Sequence, residues 1–285
     1  MVTKNSNNNS LKWELFINMK KYILLYFLLF QFFSTFAQDK SEKSIAYRLT
    51  YVLDYKPDST NLNFIKQDKF YLYVLGNNSK FISAKKIEKD SVLNKLTKEN
   101  NLMAGISMQN RPKAQNEYII YNINNTHQYV ETIGINNYSY HINDSPKWSL
   151  LEEKIKVESF NCNVAETKKY LGRDWKVLYD TNTPLITGPY KFYNLPGLVI
   201  KAFDTKMHYV FTLQKIEKIS DLKIEVTEDY KLLDKREILL NLKRNMLENP
   251  FSNLPSGIKI EIDPKQKKEI IERLKKNNNN PIELE

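Results

Sequence analysis

From Ile45 to Tyr55 the chain alternates with period two, so that Tyr47, Leu49, Tyr51, Leu53 and Tyr55 share one face. Successive side chains of a strand point to opposite faces, and a run of this kind buries its apolar half only as β-structure. The pattern recurs. Residues 69–75 read as a second apolar strand, Gly76-Asn77-Asn78-Ser79 carries turn chemistry, and residues 80–84 pair back. Residues 117–123 and 127–133 form a hairpin around Asn124-Asn125, and 138–142 continues it. Further strands are expected at 164–170, 173–179, 198–203 and 209–216, with a short one at 224–226. The 18 Tyr and 14 Phe suit such a sheet. The expected fold class is mainly β: a curved antiparallel sheet, a half-barrel-like meander with one concave face.

Three helices interrupt or follow the strands. Residues 85–98 form a short polar helix with Ile87, Val92, Leu93 and Leu96 on one side. The helical C-terminal part spans about 229–276. Asp229 is placed to cap a helix over 230–248 whose stripe includes Leu232, Leu233, Leu239 and Leu242, and Asn249-Pro250 ends it. Asp263-Pro264 opens the last helix, because proline suits a first helical turn, and it runs to Lys276. These helices are expected to cover the sheet or one of its open edges.

Residues 1–37 stand apart. Lys20 and Lys21 precede an apolar run from Tyr22 to Phe33, and Ser34-Thr35-Phe36-Ala37 places small residues before a cut after Ala37. A charged region, a short apolar core and such a site make a secretory signal. The apolar run is shorter than the roughly 20 residues of a spanning helix. Met19 directly precedes Lys20 and is the more natural start. The expected mature chain, 38–285, is one β-rich domain with no transmembrane span. Removing Lys4, Lys12, Lys20, Lys21 and Glu14 reduces 43 basic and 33 acidic residues to 39 and 32, so the net charge of +10 becomes +7. On an exported chain this charge faces lipid headgroups, glycans or other envelope surfaces, and nucleic acid is not the expected partner. Lys265, Lys267, Lys268, Arg273, Lys275 and Lys276 concentrate it on the last helix.

Chemistry is sparse. Cys162 is the one thiol, which excludes an internal disulfide and a multi-cysteine metal site. Its strand position reads as buried, although an unpaired cysteine in an exported chain is also a candidate reactive group. His127, His141 and His208 have no metal-binding spacing, so no metal and no cofactor is expected. There is no nucleophile elbow and no glycine-rich phosphate loop, and Glu152-Glu153 reads as solvated surface. No catalytic residue is assigned.

The densest stretch is 160–213. Cys162 to Ala165 leads to Gly172-Arg173-Asp174-Trp175, then to Gly188-Pro189-Tyr190-Lys191-Phe192 and Leu195-Pro196-Gly197-Leu198-Val199. Gly172 reads as a hairpin turn, Pro196-Gly197 as a type II turn, and Gly188-Pro189 as the start of a short helical turn carrying Tyr190 and Phe192. These residues, with Asn280-Pro281-Ile282-Glu283 at the end, resemble the GLPGLI family of secreted proteins of Gram-negative bacteria. Asn194 stands at the first glycine of the name-giving motif and Val199 at its isoleucine, marking a divergent member. Leu178 precedes Tyr179 where members often carry tryptophan. The resemblance implies an exported β-rich protein of unknown biochemical activity, with no established catalytic residues. It also implies a fold similar to the half-barrel sheets of periplasmic lipoprotein carriers, which bind acyl chains on a concave face.

Two readings attach to the motif residues. Arg173 and Trp175 either form a stacking and hydrogen-bonding surface, or the strand alternates with Trp175 and Val177 inward and Arg173 or Asp174 outward or in a cross-strand pair. Tyr190, Phe192, Leu195 and Leu198 either line an apolar groove or plug a sheet corner. The function expected is a non-enzymatic binding or envelope-associated module, periplasmic, outer-membrane-associated or extracellular, taking an apolar or anionic ligand. The alternatives are an exported hydrolase with an undiagnosed site and an accessory partner of an outer-membrane transporter.

Overall fold

The alternating strands assemble as the pattern requires. The computed structural model describes residues 13, 16, 19–21, 45–98, 115–134, 136–251 and 262–284. Residues 13, 16 and 19–21 are helical; the apolar run from Tyr22 and the cut expected after Ala37 lie outside the described residues. The unit Ile45–Glu285 contains strands β1 (Ala46–Tyr55), β2 (Lys66–Leu75), β3 (Asn78–Ser83), β4 (Tyr118–Ile123), β5 (Thr126–Ile133) and β6 (Asn136–His141). They are followed by β7 (Ser149–Val157), β8 (Phe160–Tyr170), β9 (Arg173–Asp180), β10 (Leu198–Asp204), β11 (Tyr209–Ile219) and β12 (Lys231–Leu232). Helix α1 (Ala84–Lys98) follows β3, and α2 (Arg236–Glu248) and α3 (Pro264–Lys276) close the chain.

All twelve strands join one open sheet in the order β12-β6-β5-β4-β3-β2-β1-β11-β10-β9-β8-β7. Every pairing is antiparallel except β12 on β6. The topology is two meanders: β1 to β6 steps outward in one direction, and β7 to β11 steps back from the far edge. They meet where β1 pairs with β11 along its whole length, from Ala46 opposite Ile219 to Tyr55 opposite Tyr209. Tight turns make the meanders. Asn124 and Asn125, both at positive φ (51° and 62°), join β4 to β5 as a two-residue type I′ turn requires. Leu171 and Gly172 do the same between β8 and β9.

One face carries the main core. Leu49, Tyr51, Leu53 and Tyr55 all bury into it, with Tyr47 packed beside them, so the period-two reading of β1 holds. Phe70, Phe81 and Phe211 join them from β2, β3 and β11, with Phe70 and Phe81 stacked at 4.7 Å. The opposite face has a smaller cluster of Ile82, Ile119, Tyr121 and Val130, against which Ile87 of α1 and Ile224, Val226 and Tyr230 pack.

Two expectations are corrected and one strand is added. Residues 224–226 form no strand; Ile224 and Val226 cover the second cluster as irregular chain. Helix α2 begins at Arg236 after Lys235, without a side-chain cap, so Asp229 does not cap it. The edge of β6 takes the preceding residues first: Lys231 and Leu232 pair with Tyr138 and Ser139, and the Leu233 amide donates to the Ser139 carbonyl. Glu152-Glu153 is exposed, as read, but lies in a strand absent from the sequence reading. A register shift between Leu151 and Lys154 breaks the alternation that would have revealed β7. The last helix is as expected, with Asp263 accepting from the Lys265 and Gln266 amides. Among the described residues, no helix is long and apolar enough to cross a membrane.

Candidate functional site

The concave face is not empty. Residues 185–199, which link β9 to β10 and include the first two residues of β10, fold back onto it. Phe192, 1% exposed, meets the rings of Trp175, Tyr190 and Phe211, and Tyr190 also meets Tyr118 of β4. One short segment touching β4, β9 and β11 requires the sheet to curve around it. The Tyr51 hydroxyl donates to the Val199 carbonyl at 2.6 Å, and the Val199 amide to the Thr187 carbonyl at 2.9 Å. Tyr190, Phe192, Leu195 and Leu198 are all buried, which places them in the core as a plug. The Gly188-Pro189 turn is a reverse turn closed by the Phe192 amide on the Pro189 carbonyl, with Tyr190 at φ 55°, and not helical.

The glycines of the segment are needed for space. A Cβ on Gly197 would lie 2.2 Å from the Asp180 carbonyl oxygen, and one on Gly188 would lie 2.3 Å from that of Phe192. Gly197 has no positive φ, so the type II reading of Pro196-Gly197 is corrected; the left-handed position is Asn194, at φ 65°. Asparagine tolerates that conformation better than other non-glycine residues. Among the described residues, a cavity of about 60 Å³ lies beside the plug, bordered by Leu72, Phe81, Ile120, Leu195 and His127. Pockets that hold small molecules run to about 300–1,000 Å³.

The buried charges lie at the other end of the plug. Lys191 follows Tyr190, and its ammonium, 1% exposed as a side chain, contacts Glu283 Oε1. Tyr190 donates to the same oxygen, Arg236 Nη1 donates to Glu283 Oε2 at 3.1 Å, and Lys191 donates to the Tyr140 hydroxyl at 2.7 Å. The rings of Tyr129, Tyr140 and Tyr190 surround the ammonium at 4.8, 5.3 and 5.5 Å from their centroids. Burial pushes the Glu283 carboxyl up, but Lys191 and Tyr190 outweigh it and hold the group below the usual carboxylate range. Burial lowers Lys191, and Glu283, which it shares with Arg236, together with the more distant Glu131, offsets this only in part. Desolvation also raises the Tyr190 hydroxyl well above its ordinary value, so it acts here as a donor.

Arg173 holds the same tail. It points inward, 5% exposed, and the outward reading is corrected. Its guanidinium pairs with Asp204 at 3.0 Å and donates to Asn280 Oδ1 at 2.7 Å. It also reaches the carbonyls of Pro281 (2.6 Å) and Ile282 (2.9 Å). Tyr209 donates to the Asn280 carbonyl at 2.6 Å, and the Asn280 amide side chain donates to the Lys56 carbonyl and lies 3.2 Å from His208 Nδ1. Trp175 is 1% exposed and donates from Nε1 to the Tyr170 carbonyl. The structure therefore brings Arg173, Tyr190 and the tail motif together and puts Trp175, Phe192, Leu195 and Leu198 in the apolar core beside them. Lys191, Glu283, Arg236, Asp204 and Tyr209 escaped the sequence reading as site residues. A signal existed: Lys191 is the one charge inside Pro189-Tyr190-Lys191-Phe192-Tyr193.

Cys162 is fully buried on β8, and burial pushes its thiol up to about 11. Gly172 is at the β8–β9 turn, and Pro189 and Pro196 are within the plug. Among the described residues, no three His, Cys, Asp or Glu are grouped to hold a metal ion.

No family model matches the chain, and no curated protein matches it. Among solved structures, the chain is similar to PNGF-II in the C2 space group, with a TM-score of 0.50 and 15% identity over 77% of this chain and 36% of that one. PNGF-II in the P21 space group gives 0.49 and 13%, over 70% and 33%. An uncharacterized conserved protein from Thermus thermophilus gives 0.36 and 5%, over 69% and 94%. The chain thus spans about a third of the PNGF-II chains, and at 15% identity the likeness is one of fold alone.

Proposed function

We propose that the chain is an exported, non-enzymatic, envelope-associated module of the GLPGLI type, and that it meets its partner with its outer surface. The observation that carries this reading is the plug. Residues 185–199 fill the concave face, and the cavity left beside them, about 60 Å³, is too small for an acyl chain. Lys191 and Arg173 bond the chain's own tail, and the one thiol is buried with its pKa raised. Neither arrangement offers a nucleophile to a substrate. The outer surface offers two features instead. Helix α3 carries Lys265, Lys267, Lys268, Arg273, Lys275 and Lys276 with no buried residue, and among the described residues β7 is a sheet edge with no strand on its outer side and Leu150 59% exposed. Anionic lipid or glycan suits the first, and an outer-membrane protein adding a strand suits the second.

The test is expression of residues 1–285 in a Gram-negative host, followed by fractionation, cross-linking and intact-mass measurement. The expected result is an envelope fraction of chain beginning at Gln38, free of bound lipid after gentle purification, with a cross-linked surface partner or binding on a lipid and glycan panel. Cytosolic retention of uncut chain, or turnover in a hydrolase screen by purified protein, would overturn the proposal.

A further inference from the structure

Residues 280–284 are bound to this protein in the way a peptide ligand is bound. They form no strand of the sheet. Two of their amides bond backbone carbonyls, Asn280 to Pro57 and Leu284 to Leu171, and the other contacts come from side chains. Arg173 and Tyr209 grip three successive carbonyls, and the two buried residues, Asn280 and Glu283, are three apart. Pro281 is exposed and Leu284 is 53% exposed. Helix α3, which precedes the segment, has no buried residue to hold it down. The segment is therefore anchored mainly at its own two polar residues, with Ile282 packed half-buried against the core between them.

The chamber cannot stay vacant. Without Glu283, Lys191 would keep only the Tyr140 hydroxyl as a hydrogen-bond partner, among aromatic rings and near Arg236, and the next buried carboxylate, Glu131, is already paired with Lys243. A buried ammonium without an anion is strongly unfavourable. Even with Glu283 in place, the buried Nε of Arg236 has no partner, so the chamber is rich in donors. Whatever displaces the tail must bring a carboxylate, together with carbonyls and an amide placed for Arg173. A second copy of this chain carries that set.

We infer that the cleft formed by Arg173, Lys191, Tyr209 and Arg236 is a recognition site for an Asn-Pro-Ile-Glu segment, held in cis here and exchangeable with the same segment of a second copy. The inference is independent of where the protein resides. Exchange of an identical element between protomers adds no new interface chemistry, because each contact made in cis is remade in trans.

The experiment uses the full chain carrying Asn280→Ala and Glu283→Gln, which weakens its own tail, and a fluorescent peptide matching residues 277–285. The expected result is saturable binding by anisotropy, weakened at least tenfold when the peptide carries the same two substitutions. Equal binding of both peptides, or of a scrambled peptide of the same charge, would reduce the cleft to an unspecific anion site and overturn the assignment; so would no binding by the folded variant. Hydrogen exchange on the unaltered chain decides the matter if the variant does not fold. The Asn280 and Leu284 amides should exchange well ahead of β1 and β11. Exchange only with global unfolding of the sheet would make the tail a fixed part of the core, and the inference would fail.

Discussion

Residues 185–199 and residues 280–284 meet at the contact of Lys191 with Glu283, and they are held against one core by opposite physics. The plug brings rings and leucines. Each buried side chain of that size is worth about 1.5–3 kcal/mol, and its glycines let backbone approach backbone. The tail brings a carboxylate, an amide and three carbonyls, all answered by donors from the body. Apolar burial is indifferent to pH, whereas a charged latch depends on which protons are bound. The plug should therefore behave as core and the tail as a bound segment, and each prediction below tests that difference.

The largest effect is expected in the plug. Phe192→Ala removes a ring packed against Trp175, Tyr190 and Phe211 and leaves a cavity between segment and sheet. A loss of about 3–5 kcal/mol is expected in urea unfolding, with no dependence on pH between 6 and 8. A loss below about 1 kcal/mol would mean that the segment is only lightly seated and that the concave face can open.

The apolar cluster was legible in the sequence, although groove and plug both stayed open there, and the tail latch was not. Alternation around Tyr51 and Trp175, the turn residues, and the apolar run at 190–198 are local signals, and they place most strands and the buried corner. Arg173 and Asn280 are separated by 107 positions in the chain. No local period links them, and a strand arginine ordinarily faces water. The edges were the weakest part for a related reason. Where β7 bulges and where residues 231–233 are captured by β6, pairing across the sheet decides the conformation, and local propensity does not.

The second effect belongs to the latch. Glu283→Gln leaves Lys191 buried without its anion, and Lys191→Met leaves Glu283 with Arg236 and Tyr190. Each change should cost about 3 kcal/mol. The double variant should cost about 2 kcal/mol less than the sum, because the second change removes a charge already stranded by the first. Strict additivity would show that the pair does not hold the tail, and the contrast with the plug would disappear.

The third effect is a pH dependence confined to the tail. Burial holds the His208 imidazole below its ordinary range, with Asp204 opposing and Arg173 adding to the shift. Its Nδ1 faces the Asn280 side-chain nitrogen, which donates, so the neutral ring is the form that fits. With the folded pKa depressed, the stabilisation is present above the ordinary histidine value of about 6.5 and is lost as pH falls through the folded one. Glu283, also depressed, keeps its contribution down to about 4.3, the ordinary carboxylate value, and loses it below. Lowering pH from 7.5 to 5.5 should speed exchange of the Asn280 amide several-fold after correction for intrinsic rates, and leave the Val199 amide of the plug unchanged. His208→Gln should flatten the dependence. An equal response at both amides would mean that plug and tail open as one.

The smallest change in stability comes from the buried thiol, which serves as a clock for the core. Cys162 is fully buried in the same cluster as the plug, and its pKa is pushed up to about 11 by burial, with the Asp180 carboxylate adding to it. Cys162→Ala should therefore cost only about 1 kcal/mol and leave any partner binding intact. In the unaltered chain a thiol reagent needs both access and the thiolate, so labelling at pH 8 should wait for the strands β7 to β9 to separate. Local and global opening are distinct events with separate free energies. If the tail is a bound segment, its amides will open at least tenfold more often than Cys162 is labelled, with both rates followed on one sample by mass spectrometry. If the two rates coincide across denaturant concentrations below the unfolding transition, charge and apolar burial hold a single cooperative unit, and the tail is core after all.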